Sequence, residues 1–183
     1  MYHHCTTEKT TLQQETFQGA LMHSMQEHPY SNITITDLCI QTGLSRNIFY
    51  RLFDCKDDVL YSLLDQYFYA CSHALQLSDT KEALSAIFSF WKRNRVVLDI
   101  LDKNQLGPLL STRGTLCCLN PDFEMVKLIK EEYRCYKVEI LSFYTSAFVG
   151  LLFQWYHSGF TRSVEEMTDI GYQMLCRPPI NID

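Results

Sequence analysis

Apolar residues recur at helical spacing through almost the whole chain, and the breaks in that pattern delimit the elements. Leu12, Phe17, Ala20, Leu21 and Met25 predict a first helix over about Thr11 to Glu27, broken by the polar run His28 to Asn32. A short second helix is expected from Thr34 to about Gln41. Thr34 supplies a capping oxygen, and Asp37 three residues on completes a capping box. Gly43 supplies the left-handed residue that stops it, and Ser45 caps a third helix running to Arg51 or Leu52. Lys56 to about Leu77 reads as a long helix whose Asp57 and Asp58 suit the positive end of its dipole. Its Tyr61, Leu64, Phe68, Cys71 and Leu75 are spaced to face a second body of the protein.

Farther on, Ala83, Leu84, Ile87, Phe88 and Trp91 predict a helix over about Thr80 to Asn94, and Val97, Leu98, Ile100 and Leu101 one over Val96 to Lys103. Gly107 to Pro121 contains Gly107-Pro108, Gly114 and Asn120-Pro121, and is expected to be a loop around a short turn of helix. Asp122 to Arg134 is amphipathic, with Phe123, Val126, Leu128, Ile129 and Tyr133 opposite its charges. Lys137 to His157 is apolar on every side and ends at Gly159. A final helix is expected from Val164 to Cys176. One short helix does not cover an all-round apolar one, so a second copy of the chain is its natural cover.

The helix, turn, helix of residues 34–52 carries the candidate chemistry. Leu38, Leu44, Phe49 and Phe53 are expected to share a small core, with Arg46, Asn47 and Tyr50 on the outer face of the second helix. Two helices joined by a Gly-containing turn can seat the second in a DNA major groove. There Arg forks onto guanine, Asn onto adenine, and Tyr reaches a phosphate.

Composition sharpens this picture. With 46% apolar residues, 13% aromatics and only seven Gly and five Pro in 183 residues, the chain is expected to be folded and nearly all helix. A net charge of -5 excludes a general nucleic-acid coating protein, which needs many cations to displace counterions. The reader itself is acidic, since residues 1–60 hold four cations (Lys9, Arg46, Arg51, Lys56) against seven acids (Glu8, Glu15, Glu27, Asp37, Asp54, Asp57, Asp58). Site-specific binding then rests on a few placed groups, with Thr34 and Ser45 as neutral phosphate donors. Non-specific binding is expected to be weak.

Eight cysteines without a CxxC pair or a signal peptide point to a reducing cytoplasm, where they act as small buried apolar residues. His3, His4 and Cys5 can bind metal in principle, but three adjacent ligands at a frayed end do not make a site, and neither metal nor cofactor is expected. Ile140 to Phe160 lacks charges for 21 residues, yet Ser142, Thr145, Ser146, Gln154, His157 and Ser158 favour a buried interface helix over a membrane span. No HExxH, GxSxG or P-loop spacing appears, so no catalytic residue is assigned and enzyme function is not expected.

The run IFYRLFDCK, Ile48 to Lys56, resembles the recognition-helix signature of the TetR family of transcriptional regulators, and the helix lengths around it fit that family. The resemblance implies an all-α fold with an N-terminal three-helix DNA-binding domain, residues 1–56, and an effector-binding and dimerisation domain, residues 57–183. It adds Lys56 as a phosphate contact, giving Thr34, Ser45, Arg46, Asn47, Tyr50 and Lys56 as the DNA-binding set. Ile48 and Leu52 depart from the signature, which often has Thr at the first and Tyr or His at the second.

The resemblance also implies a homodimer on a palindromic operator, acting as a repressor released by a small effector. Phe68, Trp91, Cys117, Tyr133 and Tyr136 are the pocket candidates, for a mainly apolar ligand. Phe148, Leu151, Trp155, Met167 and Ile170 are the dimer-interface candidates in the last two helices. The stretch Phe148 to Met167 also resembles the branch of the family related to dihydroxyacetone-kinase regulators. The alternative is a regulator-like protein that works through protein partners without an effector.

Overall fold

The computed structural model describes residues 7–72, 79–123 and 125–176. Among them there is no strand. The described residues form nine α-helices in order: α1 Glu8–Glu27, α2 Ile35–Thr42, α3 Arg46–Leu52, α4 Lys56–Ser72, α5 Thr80–Arg93, α6 Arg95–Lys103, α7 Gly107–Leu119, α8 Lys137–His157 and α9 Val164–Cys176. The chain is therefore all-α. His3, His4, Cys5, Leu75 and the expected end of α4 lie outside the described residues.

Packing divides the chain into two compact units, and the first takes in more than the N-terminal helices. It comprises the described residues up to Gln66 together with Ile100–Leu106; the second comprises Tyr67–Asp99 and the residues from Gly107 on.

In the first unit α1 covers α2 and α3 with Phe17, Ala20, Leu21 and Met25, all buried, while Leu12 points to solvent at 64% exposure. Phe17 meets Phe49 edge-on at 5.2 Å and Phe53 at 6.2 Å, a geometry that aligns ring edges with ring faces. Leu38 is fully buried beside them, and Leu44 is half-buried. Burying each such ring or Leu is worth about 1.5–3 kcal/mol, which holds two very short helices that have little stability alone. Two buried polar groups are satisfied: Gln18 Nε2 donates to Ser62 Oγ at 2.9 Å, and that hydroxyl donates to Val59 O at 2.8 Å.

In the second unit α5 packs against α9 and α8, and α7 against α8. Leu84, Phe88 and Trp91 form the inner face of α5. Phe88 packs against Phe148 at 5.3 Å and Trp155 at 5.7 Å. Gly171 lets α9 approach that ring, since an added Cβ there would lie 3.3 Å from it. Trp155 Nε1 donates to Arg162 O at 3.0 Å, which pins the turn after α8. Ser163 and Glu166 then start α9 with a reciprocal cap: Glu166 N donates to Ser163 Oγ at 3.1 Å and Ser163 N to Glu166 Oε2 at 2.7 Å.

Two expectations are corrected. Gly107 to Pro121 is not a loop, because α7 runs through it from Gly107 to Leu119. Pro108 sits in the first turn, where a missing N–H costs nothing. Gly114 is where the Phe68 ring comes within 3.1 Å of the position a Cβ would take. Asp122 to Arg134 is not a single helix either; it forms short 3-10 turns, Pro121–Phe123, Met125–Leu128 and Glu131–Tyr136. Residues 131–136 are exposed, so their helical spacing buries nothing and does not draw them into an α-helix.

Candidate nucleic-acid interface

The turn between α2 and α3 is built as its residues dictate. Asp37 N donates to Thr34 Oγ1 at 3.2 Å, and Thr34 N donates to Asp37 Oδ2 at 2.9 Å, closing the capping box. Gly43 ends α2 with φ 69°, a left-handed conformation that costs a side-chain-bearing residue. Ser45 Oγ accepts from Ile48 N at 3.3 Å and starts α3. Phe49, Leu52 and Phe53 then fall inward, and Arg46, Asn47, Tyr50 and Arg51 outward.

Each DNA-binding candidate has a definite setting. Arg46 Nη2 donates to Tyr50 Oη at 3.3 Å, and its Cζ lies 5.9 Å from the centre of the Tyr50 ring. That bond holds the guanidinium above its already high pKa. Asn47 is exposed on the same surface, and the Ser45 oxygen is used by its cap. Thr34 spends its hydroxyl on Asp37 Oδ2 at 2.7 Å, and these bonds hold the Asp37 carboxyl below the usual range. A carboxylate thus sits at the start of α2.

Lys56 is engaged internally. Its ammonium donates to Tyr30 O at 2.6 Å and Ile33 O at 2.8 Å and lies 4.0 Å from the centre of the Tyr30 ring. Burial lowers its pKa. Arg51 Nη2 donates to Gln13 Oε1 at 2.8 Å. The departures from the signature point the same way, for Leu52 is buried and Ile48 half-buried.

Sequence reasoning missed the residues that brace this surface from far away. Tyr30 N donates to Asn104 Oδ1 at 2.6 Å, and Asn104 Nδ2 donates to Ile100 O at 2.8 Å. Lys103 donates to Gln26 O, and Tyr30 Oη donates to Asp57. Burial first, and the Asp57 carboxylate next, push the Tyr30 phenol well above its ordinary value. No local pattern announces a partner more than seventy residues away.

The pocket candidates are partly brought together. Phe68 and Trp91 meet edge-on at 5.7 Å, with Tyr67 stacked near Trp91 at 6.3 Å. Cys117 is half-buried on α7, where Thr115 and Thr145 share a hydrogen bond of 2.6 Å with α8. Tyr133 and Tyr136 are exposed by half or more.

Among the dimer candidates, Trp155 and Met167 are buried in the chain's own core, at 2% exposure each, while Phe148, Leu151 and Ile170 are half-buried. The open apolar surface of α8 is a neighbouring stripe: Phe143 at 69% exposure, Tyr144, Ala147 and Gly150, with Leu151 at its edge. Nothing lies within 4 Å of a Cβ built on Gly150. Among the described residues, no group of three or more His, Cys, Asp or Glu is placed to hold a metal ion.

No protein-family model and no curated protein matches the sequence. Solved structures do match. A TetR transcriptional regulator from Streptococcus agalactiae superposes with a TM-score of 0.64 at 18% identity, over 91% of this chain and 95% of that one. FadR of Thermus thermophilus, a TetR-family transcriptional repressor in complex with lauroyl-CoA, aligns over 93% of this chain and 96% of that one at 13% identity and a TM-score of 0.49. With nearly the whole length of the Streptococcus agalactiae regulator superposed, the chain has the all-helical fold of a TetR transcriptional regulator.

Proposed function

We propose that the chain is a TetR-family homodimeric transcriptional regulator, without enzymatic activity, that binds a palindromic operator through α3. One observation carries the reading: a capped helix, a left-handed Gly turn and a second capped helix present Arg46, Asn47 and Tyr50 to solvent from a rigid aromatic core. Such a module has the shape of a major groove reader, and a two-fold dimer places two readers on the halves of a palindrome.

The open stripe on α8 supports the second copy. Small residues at Ala147 and Gly150 allow close approach, while Phe143, Tyr144 and Leu151 supply apolar area. An exposed patch of this kind marks an interaction surface. The same surface answers the apolar length of Glu131–His157, which by length and composition alone passes for a membrane span. Met174 and Leu175 on α9 are exposed apolar residues of the same unit.

The remaining features follow as parts of this reading. The effector is a small, mainly apolar molecule that enters beside Phe68, Trp91 and Cys117, where aromatic rings and the Thr115–Thr145 pair offer apolar walls with a polar handle. Its binding releases a repressor from DNA, and the protein works in the cytoplasm.

A mobility-shift assay on DNA upstream of the protein's own coding sequence tests the reading. Retardation is expected for the wild type, weaker for Arg46→Ala, and lost when Asn47 is replaced by Ala as well. An Arg46→Ala/Asn47→Ala double variant that binds as well as the wild type refutes the assignment of α3 as the reader.

A further inference from the structure

We propose that Arg46 and Tyr50 form one reading unit, in which Arg46 forks onto a guanine of each operator half-site and Tyr50 is the positioning residue that aims it. The inference rests on α3 being the reader, and it gives Tyr50 a role other than the phosphate contact its residue type suggests.

The geometry separates the two roles. Arg46 and Tyr50 are one helical turn apart on an exposed face, the spacing at which side chains meet. The phenol oxygen accepts from Nη2 at 3.3 Å, so it is turned along α3 toward Arg46. The guanidinium carbon lies 5.9 Å from the ring centre, within reach of a cation–π contact. One side of the ring rests against the core, because Phe49 meets it edge-on at 5.5 Å and is fully buried, while Tyr50 itself is 46% exposed. Core, ring and guanidinium thus form a continuous chain of contacts.

This matters because a free arginine side chain has many rotamers and loses them on binding. Holding the guanidinium before DNA arrives removes part of that loss, and its remaining N–H groups can still fork onto guanine O6 and N7. The other cations of α3 and its flank do not compete for the role. Arg51 is tied to Gln13, and Lys56 to two backbone carbonyls.

In vitro selection from a random duplex library, with the full-length protein, tests the inference. The wild type should enrich a palindrome with a guanine at one fixed position of each half-site. Arg46→Ala and Arg46→Lys should both lose the preference at that position and keep the others, since lysine keeps the charge but neither forks nor stacks. Tyr50→Phe should keep the ring and lower the guanine preference by roughly three- to tenfold, with affinity for sites lacking that guanine unchanged.

Uniform weakening of all sequences by Tyr50→Phe would make Tyr50 a phosphate contact and overturn the positioning role. An Arg46→Ala profile identical to the wild type would overturn the guanine assignment while leaving α3 a DNA reader. Failure of the wild type to enrich any sequence would overturn the reader itself, and with it this inference.

Discussion

Few cations of the reader are free to meet phosphate, and the salt dependence of DNA binding should show it. Of the four in residues 1–60, Arg51 donates to Gln13 and Lys56 to the carbonyls of Tyr30 and Ile33. These bonds do not discharge the groups; they hold the charges against α1 and the turn before α2. Lys9 and Arg46 remain. The proposed dimer would then bring about four cations to the duplex, Lys9 near phosphate and Arg46 at a base edge, and displace about as many counterions, for a slope of log affinity on log salt of about -3.6. Raising salt from about 50 to about 200 mM should weaken specific binding about 150-fold, against about 20,000-fold if all four cations of each protomer reached DNA. Fluorescence anisotropy with a labelled operator at several salt concentrations measures the slope. Lys56→Gln should leave it unchanged even where it weakens the fold. A wild-type slope near -7, or a slope that Lys56→Gln makes shallower by about two units, would refute the internal assignment of Lys56 and Arg51.

The helical body makes further predictions. Ala147→Glu should leave the helical circular dichroism intact and turn dimers into monomers in sedimentation velocity; a stable dimer would place the interface off the open stripe of α8. Gly114→Ala should lower stability to denaturant by about 1 kcal/mol despite the better helix propensity, because Phe68, wedged against Trp91, has little room to give way. A stabilised Gly114→Ala would show that the ring moves freely. At neutral pH a thiol reagent should modify exposed Cys55 and Cys135 quickly, half-buried Cys118 more slowly, and spare buried Cys71, followed by mass spectrometry. Burial pushes the Cys71 thiol up to about 12 and Cys118 to about 11, so both are protonated at neutral pH. With folded values above the ordinary 9.0, the stability they lend is present below that pH and fades as pH rises through 11 to 12. Equal labelling of Cys71 and Cys55 would refute the burial of Cys71.

Much of the reader is written in short-range chemistry and is legible for that reason. Thr34 with Asp37, Gly43 and Ser45 each act within four residues, and each does in the structure what its type dictates. Where meaning depends on distant neighbours, the pattern misleads. Gly107, Pro108 and Gly114 have the composition of a loop, yet Gly114 serves a ring on α4 and α7 is helical throughout. The spacing from Phe123 to Tyr133 is helical, but exposed residues 131–136 have no wall to bury it against. An all-round apolar helix does not tell which of its sides the chain covers itself; on α8 Leu152 and Trp155 turn inward while Phe143 and Tyr144 stay open. Lys56 matches a phosphate contact by position in the signature, and only its bonds to Tyr30 and Ile33 reveal the brace.

The tail of α6 gives the N-terminal unit a debt to sequence made much later. Ile100 and Leu101 are almost wholly buried, and Asn104 supplies the acceptor for the Tyr30 amide. A fragment cut after Gln66 would lose that wall and leave the amide to water. A nascent chain likewise completes this unit only after translation has passed Leu106, so its helices emerge from the ribosome well before the piece that locks them. Grafting the reader onto another protein therefore calls for both segments, stitched by a short linker that replaces everything between them.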